Sequence, residues 1–259
     1  MFDISPVVPE ARDIVQRAAP VYWDHTQEWF LGLLIHGSAL KGGFIPGCSD
    51  IDMQLFLRDE AFAADGQLPL ELSLAIHRDI ARIDPAPFQY IQCYAVPGHL
   101  TPGEKKGDIG PVPGTYHMLA GDLPVPEATA EQILSKSRRY LAELEIDPSR
   151  LAGRLLQHGG GILERGVRFL CTEIWPTLYC LLACRAADPL AVWRLPKEEA
   201  IALLPEDTPP GREIRLFHEL AKAYYLGDQS VERALPLIAS GHNFKRAVKT
   251  NCKDCVDNY

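Results

Sequence analysis

The sequence predicts an α/β (α+β) N-terminal domain with a small mixed sheet, followed by an all-α helical bundle. Three observations carry that prediction. Up to about residue 125, short apolar or alternating runs are interleaved with stretches of helical periodicity, the texture of strands and helices sharing one sheet. Residues 97–126 are then rich in Gly and Pro, as in PGHLTPGEKKGDIGPVPG and LAGDLPVP, which reads as a connector or a flap. Beyond them nearly every stretch has helical spacing, broken by the turn-like DPL, LPEDTPPG and YLGDQS. The predicted domains are therefore residues 1–125 and 126–259.

The elements follow in chain order. From Pro9 to Phe30, Ala11, Ile14, Val15, Ala18 and Ala19 recur at helical spacing. Leu31 to Ile35 is an uninterrupted apolar run ending at Gly37, as in a buried strand. Ile51, Met53, Leu55 and Leu57 alternate with Asp50, Asp52, Gln54 and Phe56, the two-residue period of a half-buried strand. Leu72, Ile76, Ile80 and Ile83 line one face of a helix over 70–83. FQYIQCYAV, residues 88–96, is aromatic and β-branched and predicts a third strand. In the second domain the predicted helices cover 128–144, 151–187, 197–204, 211–226 and 230–239.

Length and composition bound the function. The chain has 259 residues, enough for two modest cores, and its 47% hydrophobic and 23% charged residues are ordinary for a globular protein. No segment approaches the roughly 20 apolar residues of a membrane span, so no membrane partner is expected. The acidic, proline-bearing start MFDISPVVPEARD does not read as a signal peptide. The 26 Lys and Arg against 34 Asp and Glu give a net charge of −8, which argues against a nucleic-acid-binding surface. Seven cysteines, an odd number without a secreted-scaffold pattern, point to reduced thiols and a cytoplasmic protein. Cys252 and Cys255 form one CxxC at the end of the chain, which lacks the second pair that a zinc site needs.

The chemistry concentrates in HGSALKGGFIPGCSDIDMQLFL, residues 36–57. Asp50 and Asp52 are two apart on a strand, so their side chains share a face. Two carboxylates that close repel unless a cation lies between them. Hard oxygen ligands on a rigid strand suit Mg²⁺, with phosphate oxygens completing the shell. Gly37 and Ser38 follow the neighbouring strand. There a glycine permits close backbone approach, and N–H groups with the Ser hydroxyl would hold a phosphate. The pattern predicts a magnesium nucleotide held between a phosphate-gripping turn and a metal-gripping strand.

The pair GS, an eleven-residue spacer and DID before an apolar strand resemble the signature of the nucleotidyltransferase superfamily with the polymerase β-like fold. SALKGGFIPGCSDID, and later ERGVRFLCTEIW, LPKEEA and AYYLGD, resemble landmarks of the aminoglycoside adenylyltransferases that modify streptomycin and spectinomycin. The resemblance implies transfer of AMP from Mg-ATP, or another nucleoside triphosphate, to a hydroxyl of a small acceptor such as an aminoglycoside antibiotic. One or two Mg²⁺ ions would take part. It implies metal ligation by Asp50 and Asp52, and triphosphate contacts from Gly37, Ser38, Ser49 and Lys197. It also implies that Tyr225 lines the nucleotide site.

That family places a third carboxylate on the strand after the intervening helix. Here the matching position reads as Gln89, with Gln92 a residue out of phase, and neither side chain takes a proton. Three explanations stay open: transfer without this base, a stand-in carboxylate among Asp84, Glu104, Asp108 and Asp122, or a catalytically weak or dead domain, whether by nature or because Gln89 is an engineered replacement for Glu. The acceptor also stays open between an aminoglycoside, a lincosamide, a nucleotide and a protein hydroxyl. Glu143, Glu145, Asp147, Glu164 and Glu173 would form an acidic wall for a cationic one. The histidines, His36 among them, show no ligand or triad spacing.

Overall fold

The computed structural model describes residues 2–100 and 109–251. Cys252, Cys255, Glu104 and Asp108 lie outside the described residues. The chain divides into two compact units, Met1–Ala128 and Thr129–Tyr259.

The first unit is built on a four-stranded sheet in the order β3-β2-β1-β4. Strand β1 (Phe30–His36) pairs antiparallel with both β2 (Ile51–Leu57) and β4 (Tyr116–Gly121). Strand β3 (Ile91–Pro97) runs parallel to β2, so the sheet is mixed. Helices α1 (Pro9–Thr26) and α3 (Leu70–Ile80) cover one face. The one-turn helix α2 (Ser38–Lys41) lies between β1 and β2. Ala11, Ile14, Val15 and Ala18 of α1 meet Leu33, Ile35, Ile51, Met53, Leu55 and Leu57 of the sheet in one buried core. The alternation of β2 is the cause: its even-spaced apolar side chains all point at the helices. Each such side chain contributes about 1.5–3 kcal/mol by leaving water.

The opposite face of the sheet is split. Leu34 and Phe56 are buried there beside Val125, with Leu31, Val96, Met118 and Leu123 packed around them. The other half of that face carries polar side chains and forms the candidate site.

Strand β4 falls within residues 97–126, which the sequence presents as a connector. It is short, yet it makes the fourth register-matched row with β1. The third strand starts at Ile91 and not at Phe88, whose ring stacks on Phe44 at 4.6 Å in the helix-covered core.

The second unit is helical: α4 (Ala130–Ala142), α5 (Pro148–Leu155), α6 (Ile162–Ala183), α7 (Pro189–Arg194), α8 (Lys197–Ala202), α9 (Pro209–Tyr225) and α10 (Val231–Asn251). Thr129 opens α4 through a capping box with Gln132. Thr208 and Asp188 cap α9 and α7 by accepting backbone N–H bonds. The expected single helix over 151–187 is two: α5 ends at Leu155, and Gly159, Gly160 and Gly161, all at positive φ, keep the chain out of a helix until α6 starts at Ile162. The last helix runs to Asn251, twelve residues past the predicted end at 239. Among the described residues Cys48, Cys93, Cys171, Cys180 and Cys184 form no disulfide. Among the described residues no helix is long and apolar enough to cross a membrane.

Leu55 is fully buried in the helix-covered core. Leu55→Ala is expected to destabilise the first unit by about 2–5 kcal/mol, read as a lower urea midpoint at unchanged slope.

Candidate active site

The candidate site begins where β1 ends. After His36 the chain turns at Gly37 with φ 74° and ψ −151°, a conformation that side-chain-bearing residues rarely adopt. A β-carbon there would collide with the Asp52 carboxylate. The turn and the acidic strand are therefore in direct contact, and glycine is required twice over. Ser38 is buried at the start of α2, whose turn closes through Lys41 N–H to the Gly37 carbonyl at 3.0 Å.

Ser49 is also buried. Its hydroxyl accepts the Ile45 N–H at 2.9 Å, and its own N–H returns to the Ile45 carbonyl at 2.9 Å. That pair of hydrogen bonds closes the loop that delivers Asp50 to the sheet. A serine oxygen that accepts one bond still has its proton to donate.

Register then lines up one polar row across all four strands. His36 of β1 stands opposite Asp52 of β2 and, on its other side, opposite Tyr116 of β4. Asp52 in turn stands beside Gln92 of β3. Paired residues of neighbouring strands share a face, and the next row on that face is Tyr94, Gln54, Leu34 and Met118, of which Leu34 and Met118 belong to the apolar half. The row therefore reads Gln92, Asp52, His36, Tyr116 at spacings of about 5 Å. Two hydrogen bonds finish its ends. The Tyr90 hydroxyl donates to Gln92 Oε1 at 2.7 Å, and the Tyr116 hydroxyl donates to Glu127 Oε1 at 2.8 Å.

This row corrects the reading of β3. Gln92, and not Gln89, is the side chain beside Asp52; Gln89 precedes the strand, is exposed, and uses its backbone N–H to bind the Ser49 carbonyl at 2.8 Å. The uncharged character of the position survives, since both are glutamines. The row also gives His36 a place that its sequence spacing concealed. Burial pushes its imidazole down to about 4, Lys41 adds to that shift, and Asp50 opposes it. His36 is thus neutral at neutral pH and brings no charge to the row.

Among the described residues no group of three or more His, Cys, Asp or Glu side chains converges on a metal position. The candidate site carries two carboxylates, Asp50 and Asp52. That set fits Mg²⁺, which takes one or two protein carboxylates and fills its remaining positions with water and phosphate oxygens.

The remaining expected residues belong to the second unit. Lys197 begins α8, and its ammonium lies 5.5 Å from the centre of the Trp175 ring. Tyr225 ends α9, buried edge-on against Tyr224 at 5.0 Å. Glu145, Asp147, Glu164 and Glu173 all border a cavity of about 870 Å³ between α5, α6 and α10. Glu173 is paired there with Lys245 at 2.7 Å.

No family model matches the chain, and no curated protein sequence matches it. Among solved structures it is similar to the spectinomycin adenyltransferase of Enterococcus faecialis, determined with ATP and spectinomycin. The superposition has a TM-score of 0.50 at 12% identity and covers 90% of this chain and 98% of the other. A likeness at that identity establishes the fold, which is nucleotidyltransferase-like.

The contact between Gly37 and Asp52 makes a coupled pair. Gly37→Ala is expected to cost about 1–3 kcal/mol through strain and collision, and Asp52→Ala in the same chain to return about 1 kcal/mol of it. A double-mutant cycle of urea midpoints reads the coupling directly.

Proposed function

We propose that the chain is a nucleotidyltransferase that moves AMP from Mg-ATP to a hydroxyl of a small-molecule acceptor, with an aminoglycoside-like antibiotic as the leading class. The observation that carries this reading is the Asp52 carboxylate set against the Gly37 turn, with Asp50, the residue just before β2, acting electrostatically on His36 opposite Asp52. A fold likeness to an enzyme crystallised with ATP and spectinomycin supports it. The cysteine pattern suits action in the cytoplasm.

In this reading Asp50 and Asp52 hold the divalent ion. When bound, that ion would supply the charge that neutralises the triphosphate and its departing pyrophosphate. The backbone of Gly37 and Ser38 approaches the phosphate chain where a side chain at position 37 would block it. Ser49 donates its remaining hydroxyl proton to a phosphate oxygen. Neutral His36 floors the space between Asp52 and Tyr116 without repelling a cationic acceptor.

A second reading is favoured by one observation, the uncharged amide of Gln92 beside Asp52. There the unit binds Mg-ATP without turning it over, and its output is the bound state.

Titration calorimetry tests the shared step. Mg-ATP should bind the wild type, EDTA should abolish binding, and Asp52→Asn should weaken it by about 100-fold or more, the scale of losing one charged contact to a cation. Retained affinity in Asp52→Asn would remove the proposed site. Pyrophosphate release with spectinomycin, streptomycin and other hydroxylated acceptors then separates the two readings. If the chain is a working enzyme, Gln92→Glu changes the release rate by less than about threefold. If glutamine is a lesion, the same change raises it by the roughly 100-fold or more that a recovered acid–base group contributes.

A further inference from the structure

The transfer reading leaves the acceptor proton without a destination, because Gln92 cannot take it. We infer that Glu127, held by Tyr116, receives that proton. The inference rests on the nucleotidyl-transfer reading and assigns a residue that the sequence motifs do not reach.

The argument starts from which carboxylates of the first unit meet the polar row. Asp84 turns back on its own loop and accepts the Ala86 N–H at 3.0 Å. Asp122 stands beyond the far end of β4, where its N–H binds the Leu31 carbonyl at 3.2 Å. Asp79 is engaged by His25 at 2.9 Å and Arg82 at 3.0 Å. Glu127 differs: its Oε1 accepts the hydroxyl of Tyr116, a member of the row itself.

Glu127 is exposed at its tip but fixed at its base. Val125 is buried in the apolar half of the same sheet face, and Ala128 is buried with its N–H on the Pro111 carbonyl at 2.9 Å. Between them, the Pro126 carbonyl packs so closely on Gly110 that a β-carbon there would collide with it. A carboxylate between two anchors, with one oxygen bound by a tyrosine, has its second oxygen left for substrate. Burial and the neighbouring carboxylate push the Tyr116 hydroxyl up to about 12, so it stays a donor.

Tyr116 stands two strand spacings, about 10 Å, from Asp52, with His36 as the floor between. An acceptor hydroxyl lying over His36 would meet the phosphate held at Asp52 on one side and Glu127 on the other. In the step, the acceptor oxygen forms its bond to the α-phosphorus, and the bond from that phosphorus to the bridging oxygen breaks. Pyrophosphate leaves with the bond's electron pair, and the hydroxyl proton passes to Glu127 Oε2. Atoms and charge balance with no further reactant.

The test uses the full-length protein, Mg-ATP, and spectinomycin or water as the acceptor, with AMP transfer or release read in single-turnover mixtures. Glu127→Gln keeps an oxygen for the Tyr116 hydroxyl, so melting and Mg-ATP affinity should match the wild type. Its cleavage rate should fall by about 100-fold. Glu127→Asp should recover part of that loss, and Tyr116→Phe should slow the step by about tenfold without changing Mg-ATP affinity. Wild-type cleavage by Glu127→Gln overturns the assignment. So does a wild type that binds Mg-ATP and never cleaves it with either acceptor. A wild type that fails to bind Mg-ATP removes the nucleotidyl-transfer reading itself, and this assignment with it.

Discussion

The close approach of the Asp52 carboxylate to the Gly37 turn is the constraint on which the site depends. It follows from the antiparallel pairing of β1 and β2, in which His36 faces Asp52. A slip of that register by one residue would send Asp52 into the core where Leu55 and Met53 lie, and would expose the apolar side chains. Burying an unpaired carboxylate costs more than any alternative pairing returns. The apolar alternation of β2 therefore does more than stabilise the sheet. It fixes which face Asp52 occupies and how near its carboxylate comes to the small-residue turn.

The same sheet face is divided by composition. Leu34, Phe56, Val96 and Val125 close one half against water, and the row Gln92, Asp52, His36, Tyr116 keeps the other half polar. Each member of the row comes from a different strand, so the site exists only once all four have paired. Its ends are tied by tyrosine hydroxyls, Tyr90 on Gln92 and Tyr116 on Glu127. A polar row anchored at both ends holds its side chains in set positions.

Much of the fold was legible because it is local. The alternation of Ile51, Met53, Leu55 and Leu57, and the helical spacing of Ala11, Ile14, Val15 and Ala18, are carried by neighbours in sequence. The juxtaposition of Gly37 with Asp52 was legible through spacing and family resemblance together. What failed depended on distant partners or on phase. Strand β4 is hidden in a Gly- and Pro-rich stretch, because its pairing with β1 bridges some eighty residues of sequence and leaves little local pattern. The third strand begins three residues later than its aromatic run suggests, since Phe88 is a core anchor for Phe44. An odd-numbered error in a two-residue period exchanges the faces, which is how Gln89 came to stand where Gln92 does. His36, Tyr116 and Glu127 carried no signal at all, because their meaning lies in cross-strand register and in one hydrogen bond. The triple glycine at 159–161 was the one local signal passed over; three consecutive residues at positive φ cannot continue a helix.

Paramagnetic broadening by Mn²⁺ with ATP tests the central claim most directly, since the ion erases amide signals near its own position. With a substoichiometric amount added to the isotope-labelled protein, the backbone signals of Gly37, Ser38, Asp50 and Asp52 and the side-chain amide of Gln92 should vanish first. Signals of the acidic cavity residues Glu145 and Glu164 should persist. Early loss at that cavity with an intact Gly37 signal, or uniform loss across the chain, would contradict an ion held by this carboxylate pair.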